Sequence, residues 1–170
     1  MSDASGTLWL DVGQRDWSDA ALAATGLSRD HMPRLVEGSA PGGMLRPELL
    51  REWGLSGPVV VAGSAGDNAA GAVGLGAIHP GEAFVSLGTS GVLWATTDRY
   101  APYPKAAVHA FCHALPGRWH LMSVMLSAAS CLDWAAKLTG LASVPALIAA
   151  AQTADESAGP VWFLPYLSGE

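Results

Sequence analysis

At 170 residues, half of them hydrophobic, the chain has length enough for one or two cored domains. Only 14% of the residues are charged, well under the usual quarter, so much of the surface is buried or meets something outside the chain. A net charge of -6 without any basic run excludes a nucleic-acid or anionic-membrane partner. No apolar stretch is long enough to span a membrane, and the first residues lack the basic region of a secretory signal. Cys112 and Cys131 form no CxxC pair and read as reduced thiols of a cytoplasmic protein.

In chain order, Gly6 to Val12 reads as a strand. Ser18 caps a predicted helix over 19–24 that stops at Gly26, and Ser28 caps a short helical turn before Pro33. Pro47 suits the first position of a helix running through Glu48-Leu49-Leu50-Arg51-Glu52-Trp53, closed by Gly54. Val59-Val60-Val61-Ala62, between Pro58 and Gly63, reads as a buried strand. Strands separated by helical patterns predict an α/β layout with parallel strands.

A small-residue helix follows from Asn68 to Gly76. Its interior glycines each cost about 1 kcal/mol against alanine, which predicts a close backbone neighbour, either a strand or a ligand. Ile78-His79-Pro80-Gly81 breaks the pattern, and the domain boundary is placed there, dividing 1–78 from 79–170. Two strands, 83–87 and 92–96, form a hairpin around Gly88-Thr89-Ser90-Gly91. A proline-bearing loop covers 100–105. A second hairpin, 108–113 with 118–122, turns at Leu115-Pro116-Gly117. Ser123 or Ser127 opens a long helix ending at Gly140, Val144 to Ala154 is another helix, and Pro160 to Tyr166 is extended.

Two stretches carry chemistry. Gly63-Ser64-Ala65-Gly66-Asp67-Asn68 sets a carboxylate just past the end of a strand, where open α/β sheets keep their ligands. Asp67 is either a base or a helix N-cap. A helix N-terminus stabilises the anion and so weakens it as a base. That suits phosphoryl transfer, where the base chiefly orients a hydroxyl and takes its proton. Gly88-Thr89-Ser90-Gly91 offers backbone donors and hydroxyls to an anion, or is an ordinary hairpin turn. Together the two read as the base and the phosphate cradle of a kinase.

The GxxxxGK[ST] loop is missing, and Gly71-x-x-Gly74-x-Gly76 does not match GxGxxG. His109, Cys112, His113 and His120 lie near one another in sequence. Strand alternation turns Cys112 and His113 apart, which argues against a shared metal. Trp119, Trp134 and Trp162 read as core or interdomain packing.

At Gly66-Asp67-Asn68-Ala69-Ala70-Gly71-Ala72-Val73-Gly74 and Ser86-Leu87-Gly88-Thr89-Ser90-Gly91 the chain resembles the FGGY family of carbohydrate kinases, most closely its members that act on xylulose. His109 to Pro116, Trp119 to Ser130 and the closing Leu164-Pro165-Tyr166-Leu167-Ser168-Gly169-Glu170 are similar to the family too. The resemblance implies an actin/hexokinase-like (ribonuclease H-like) α/β fold, here incomplete, with parts of two domains. Residues 1–78 would end the N-terminal, sugar-binding domain, and 79–170 would start the C-terminal, ATP-binding one.

It also implies ATP- and Mg2+-dependent phosphorylation of the 5-hydroxyl of D-xylulose. Asp67 would be the base, Asn68 would lie beside the sugar, and Gly88, Thr89, Ser90 and Gly91 would face the ATP phosphates. The family's first phosphate loop, its N-terminal sugar-contacting segment and its adenine-binding segment have no counterpart here, so the chain resembles the family's middle third. The family's third glycine near Ser64-Ala65 is missing as well. The expected consequences are inactivity of the isolated chain and self-association through exposed apolar surface. The alternatives are a non-catalytic remnant, a kinase of a related ketose such as ribulose, and another actin-like ATPase.

Overall fold

Short polar caps start the first helices. The structure, a computed structural model, describes residues 1–155, 159 and 161–169. The Ser18 hydroxyl accepts the Ala21 amide at 3.2 Å and opens helix α1, Asp19–Ala24. Ser28 opens a 3-10 turn, Arg29–His31, in which the Ser28 amide donates to His31 Nδ1 at 3.2 Å. Pro47 stands at the first turn of α2, Pro47–Glu52. These follow the sequence expectation.

The strand expected over 6–12 forms only in part. Asp3–Thr7 is a 3-10 turn, and β1 is confined to Leu10–Asp11, paired antiparallel with β2, Asp16–Trp17. The Thr7 hydroxyl donates to the Ala4 carbonyl at 2.7 Å and accepts the Trp9 amide at 3.3 Å. That side chain stabilises the turn that a strand would have to open.

The valine run forms β4, Val60–Ala62, but it is neither parallel nor buried. It pairs antiparallel with β3, Pro41–Met44, whose proline and glycines hide it from a sequence reading. Val60 is 56% exposed, because within the described residues only β3 flanks the strand, and with glycines rather than packing side chains.

Helix α3, Asp67–Leu75, ends at Gly76 in the left-handed region. A Cβ built on Gly71 or Gly74 meets no atom within 4 Å, so the close neighbour expected there is not supplied by the described residues. The close approaches lie one turn earlier. A Cβ on Gly63 would overlap the Glu37 carbonyl oxygen, and one on Gly38 would stand 2.7 Å from the Ala114 oxygen and 2.8 Å from the Ser64 oxygen. Ser64 itself has a φ of 61°, in the left-handed region that favours glycine.

Four more strands, β5 (Ala83–Leu87), β6 (Gly91–Thr97), β7 (His109–Cys112) and β8 (Trp119–Met125), form a sheet ordered β5-β6-β8-β7. The β7–β8 register pairs Phe111 with His120 and Cys112 with Trp119. The chain divides into two compact units. One is Met1–Phe84 with Trp94–Met122, and the other is Val85–Leu93 with Ser123–Glu170.

The first unit has two cores. Leu10, Val12, Trp17, Leu22 and Cys112 form one, and small residues of α3 around Trp94 form the other. Cys112 joins the first and His113 packs edge-on against Trp94, so the two side chains part as alternation predicts. Arg15 staples this unit. It binds Glu37 through two contacts of 2.8 Å, donates to the Arg118 carbonyl at 3.1 Å, and lies 5.1 Å from the Trp119 ring centroid.

The second unit carries α4, Ala129–Thr139, and α5, Val144–Gln152, the latter capped by Ser143. Neither Ser123 nor Ser127 caps α4. Ser123 lies within β8, and the residue at the α4 cap is Ala128. Trp134 stacks on Phe163 at 5.5 Å, but Trp162 is 87% exposed rather than packed. Pro160, in the stretch read as extended, and Glu170, in the closing motif, lie outside the described residues. No single helix among the described residues is long and apolar enough to cross a membrane.

The backbone crowding at Gly63 gives a direct test. Gly63→Ala is expected to lower stability by about 2 kcal/mol or more, since the overlap is with main chain. Ser64→Gly is expected to be neutral or to gain up to about 1 kcal/mol by removing left-handed strain. Urea unfolding followed by tryptophan fluorescence reads both. A harmless Gly63→Ala would show that the crowding is absent.

Candidate active site

The turn that presents Asp67 is held from both sides. The Gly66 amide donates to the Ser2 hydroxyl at 3.2 Å, and its carbonyl accepts the Ala70 amide at 2.9 Å as the helix begins. Asp67 is the first residue of α3, and its Oδ1 accepts the Asn68 amide at 2.7 Å. The carboxylate therefore bonds its neighbour's amide rather than acting as an N-cap, a position that Gly66 fills. Its side chain is exposed.

Asp67 and Asn68 line one cavity of about 120 Å3, with Ser2 and Asp3 beside them. Trp94, Phe111, His120 and Met122 supply its apolar wall.

That wall is built on a single carbonyl. The Trp94 indole donates to the Thr96 hydroxyl at 3.1 Å, and that hydroxyl donates to the Ala77 oxygen at 2.7 Å. The Leu115 amide donates to His113 Nδ1 at 3.1 Å, so Nε2 carries the proton and donates to the same Ala77 oxygen at 3.3 Å.

His120 stacks on Trp94 with centroids 3.5 Å apart and meets Phe111 edge-on at 5.8 Å. It is 3% exposed, and its Nδ1 has no hydrogen-bond partner. Burial, reinforced by the charge of His113, pushes the His120 imidazole down to about 3. Burial also lowers His113, against the opposing pull of the Ala77 carbonyl. Around neutral pH both rings are uncharged.

The loop Gly88-Thr89-Ser90-Gly91 belongs to the second unit, and its carbonyls do the capping that no serine does for α4. The Thr89 oxygen accepts the Ala128 amide at 2.7 Å and the Ser130 hydroxyl at 3.1 Å, and the Gly88 oxygen accepts the Ala129 amide at 2.9 Å. The Gly88 amide is spent on the Ser90 oxygen, and the Ser90 hydroxyl on the Leu126 oxygen at 3.1 Å. Gly91 is buried, with room for no Cβ: Ala128 Cβ would be 2.9 Å away. Thr89 is exposed at the tip, and its hydroxyl has no partner among the described residues.

Of the residues singled out in the sequence, Asp67 and Asn68 come together on the cavity, and Gly88 to Gly91 stand together on one loop. Sequence reasoning missed Ser2, Asp3 and Trp94, and it considered His120 only as a metal ligand. The turn at Leu115-Pro116-Gly117 fixes the Phe111–His120 pairing and was a usable signal. Nothing local tied Ser2 to Gly66, 64 residues away.

Comparison with known proteins places these residues in context. The N-terminal domain of the FGGY family of carbohydrate kinases matches residues 1–74. A xylulose kinase of Klebsiella pneumoniae is 70% identical over 170 residues, covering 100% of this chain and 35% of that protein. A xylulose kinase of Escherichia coli strain K12 is 68% identical, with the same coverage. The crystal structure of a xylulose kinase from Brucella ovis matches with a TM-score of 0.91 at 56% identity, over 99% of this chain and 35% of that one. The chain thus spans about a third of the length of the curated relatives it matches.

The buried histidines predict acid sensitivity. An unfolded chain protonates them near 6.5, whereas folded His120 resists until about 3. The unfolded state therefore binds more protons in between. The stability that the neutral ring contributes is complete above about pH 6.5 and is lost as pH falls toward 3, at up to about 1.4 kcal/mol per pH unit. His113 acts in the same direction. Urea midpoints taken between pH 7.5 and 5 should fall less steeply for His120→Phe than for the parent chain. Parallel profiles would refute the assignment.

Proposed function

Because the chain belongs to the FGGY family of carbohydrate kinases, we propose that it carries the sugar-side catalytic turn and one nucleotide-side loop of a xylulose kinase. Its fold is a portion of the actin/hexokinase-like (ribonuclease H-like) α/β fold of those kinases. In this reading residues 1–78 close the sugar-binding domain and 79–170 open the ATP-binding one. The enzyme is cytoplasmic, and the chain by itself, lacking segments that phosphoryl transfer requires, is inactive and self-associates.

One observation carries the proposal: Asp67 and Asn68 stand side by side at the head of α3, on a cavity with a rigid aromatic wall. The Asp67 carboxylate, tied by one oxygen to the Asn68 amide, points the 5-hydroxyl of D-xylulose and takes its proton as the oxygen gains the γ-phosphoryl group of ATP and ADP leaves. The Asn68 side-chain carboxamide holds the sugar beside it. In the loop, Thr89 is the residue with an uncommitted hydroxyl for a phosphate, while Gly88, Ser90 and Gly91 fix its position.

Mg2+ bound with ATP neutralises charge on the phosphates during transfer. Among the described residues no three His, Cys, Asp or Glu side chains gather to hold a metal.

The test replaces the matching third of the Escherichia coli relative with this chain and follows ADP release with D-xylulose, ATP and Mg2+. The chimera should turn over sugar, and Asp67→Asn should lower kcat by about a thousandfold with KM little changed. The 170-residue chain alone should show no sugar-dependent ADP release. An Asp67→Asn chimera with parental kcat would remove Asp67 as the base. Turnover by the chain alone would overturn the claim of incompleteness.

A further inference from the structure

The aromatic wall of the cavity contains one polar atom that the fold leaves unsatisfied. Nδ1 of His120 is buried without a partner, although nearly all buried polar groups in folded proteins are paired. The comparison inside the same wall is instructive. His113, equally buried, has both ring nitrogens engaged, by the Leu115 amide and the Ala77 carbonyl. His120 makes only ring contacts and lines the cavity that holds Asp67 and Asn68.

We infer that His120 is a substrate-binding residue whose neutral ring hydrogen-bonds a hydroxyl of the bound sugar and so sets the sugar against Asp67. The inference rests on the kinase reading above and adds a residue to it.

The chemistry favours an uncharged polyol. An imidazole that stays neutral offers one donor and one acceptor, matching a hydroxyl, and gives no charge with which to hold a carboxylate or phosphate. The ring lines the cavity beside Asp67 and Asn68, so a sugar hydroxyl seated there has an imidazole with an unpaired nitrogen to bond. The bland alternative is that the ring is only a packing slab between Trp94 and Phe111. On that view a phenylalanine would serve as well.

The test uses the full-length chimera labelled with 15N-histidine. Saturating D-xylulose should shift the His120 ring nitrogens and leave those of His113 in place. His120→Phe should raise KM for D-xylulose about tenfold with kcat within about twofold, and His120→Asn, which keeps a donor and an acceptor, should recover part of that loss. An unmoved His120 resonance, or a parental KM in His120→Phe, overturns the inference while Asp67-dependent turnover leaves the kinase reading intact. Loss of Asp67 dependence removes that reading and this inference with it. Should His120→Phe fail to fold, the resonance shift in the unsubstituted chimera decides the matter.

Discussion

The Ala77 carbonyl is the fixed point of the first unit. It lies just past the left-handed end of α3, where the Ala77 amide returns to the Ala72 oxygen at 2.9 Å. From there it accepts a hydroxyl from β6 and an imidazole N–H from the residue after β7. A carbonyl oxygen has two lone pairs, so one oxygen can accept both donors. Because Thr96 also accepts the Trp94 indole, one oxygen fixes the far end of α3 and the wall against which its near end faces. A helix is stiff over nine residues, so fixing its C-terminus aims its N-terminus, where Asp67 begins it. The donors that locate the wall are themselves fully buried, where an unmade hydrogen bond costs most.

The exposed apolar surface has a consistent physical reading. Val60, Val61, Leu87 and Leu138 are 46–69% exposed, while the charged fraction of the chain is far below average. Three consecutive valines suit the interior of a sheet with strands on both sides and helices over both faces. Among the described residues β4 has one neighbour, a glycine-rich one. The same holds for Gly71 and Gly74, which lower helix stability without a close neighbour among the described residues to offset the loss. Relatives almost three times as long place additional chain somewhere in the fold, and positions written for burial but left open are where such chain would pack.

Much of the local structure was legible because local rules decide it. Ser18, Pro47, Gly76, Gly117 and Gly140 each fix an element boundary through a cap, a ring or a left-handed turn, and each does so where the sequence places it. The failures have equally specific causes. β3 was invisible because Pro41-Gly42-Gly43 carries no strand propensity and pairs only because β4 lies beside it. The strand over 6–12 shrank because Thr7 hydrogen-bonds its own neighbourhood. Asp67 and Asn68 were legible as a pair because adjacent residues at a helix start need no tertiary information to stand together. The wall was not, since Trp94, Phe111 and His120 meet only through the register of a sheet, and Ser2 reaches Gly66 across 64 residues.

The start of α4 shows how a single misplaced cap follows from the same cause. The sequence offered Ser123 and Ser127 as candidates, and both are serines in the right neighbourhood. A helix start requires acceptors for its first amides, and it is indifferent to whether they come from a side chain or from a distant carbonyl. Here Gly88 and Thr89 provide them, which ties the hairpin tip to the helix by three hydrogen bonds of 2.7–3.1 Å. The loop that a sequence reading takes as amides free to wrap an anion turns two of its carbonyls, those of Gly88 and Thr89, toward α4. Once those carbonyls face α4, the exposed side of the tip is left to Thr89. A loop that appears from its composition to be a flexible cradle is therefore a rigid one, held by the helix that it caps.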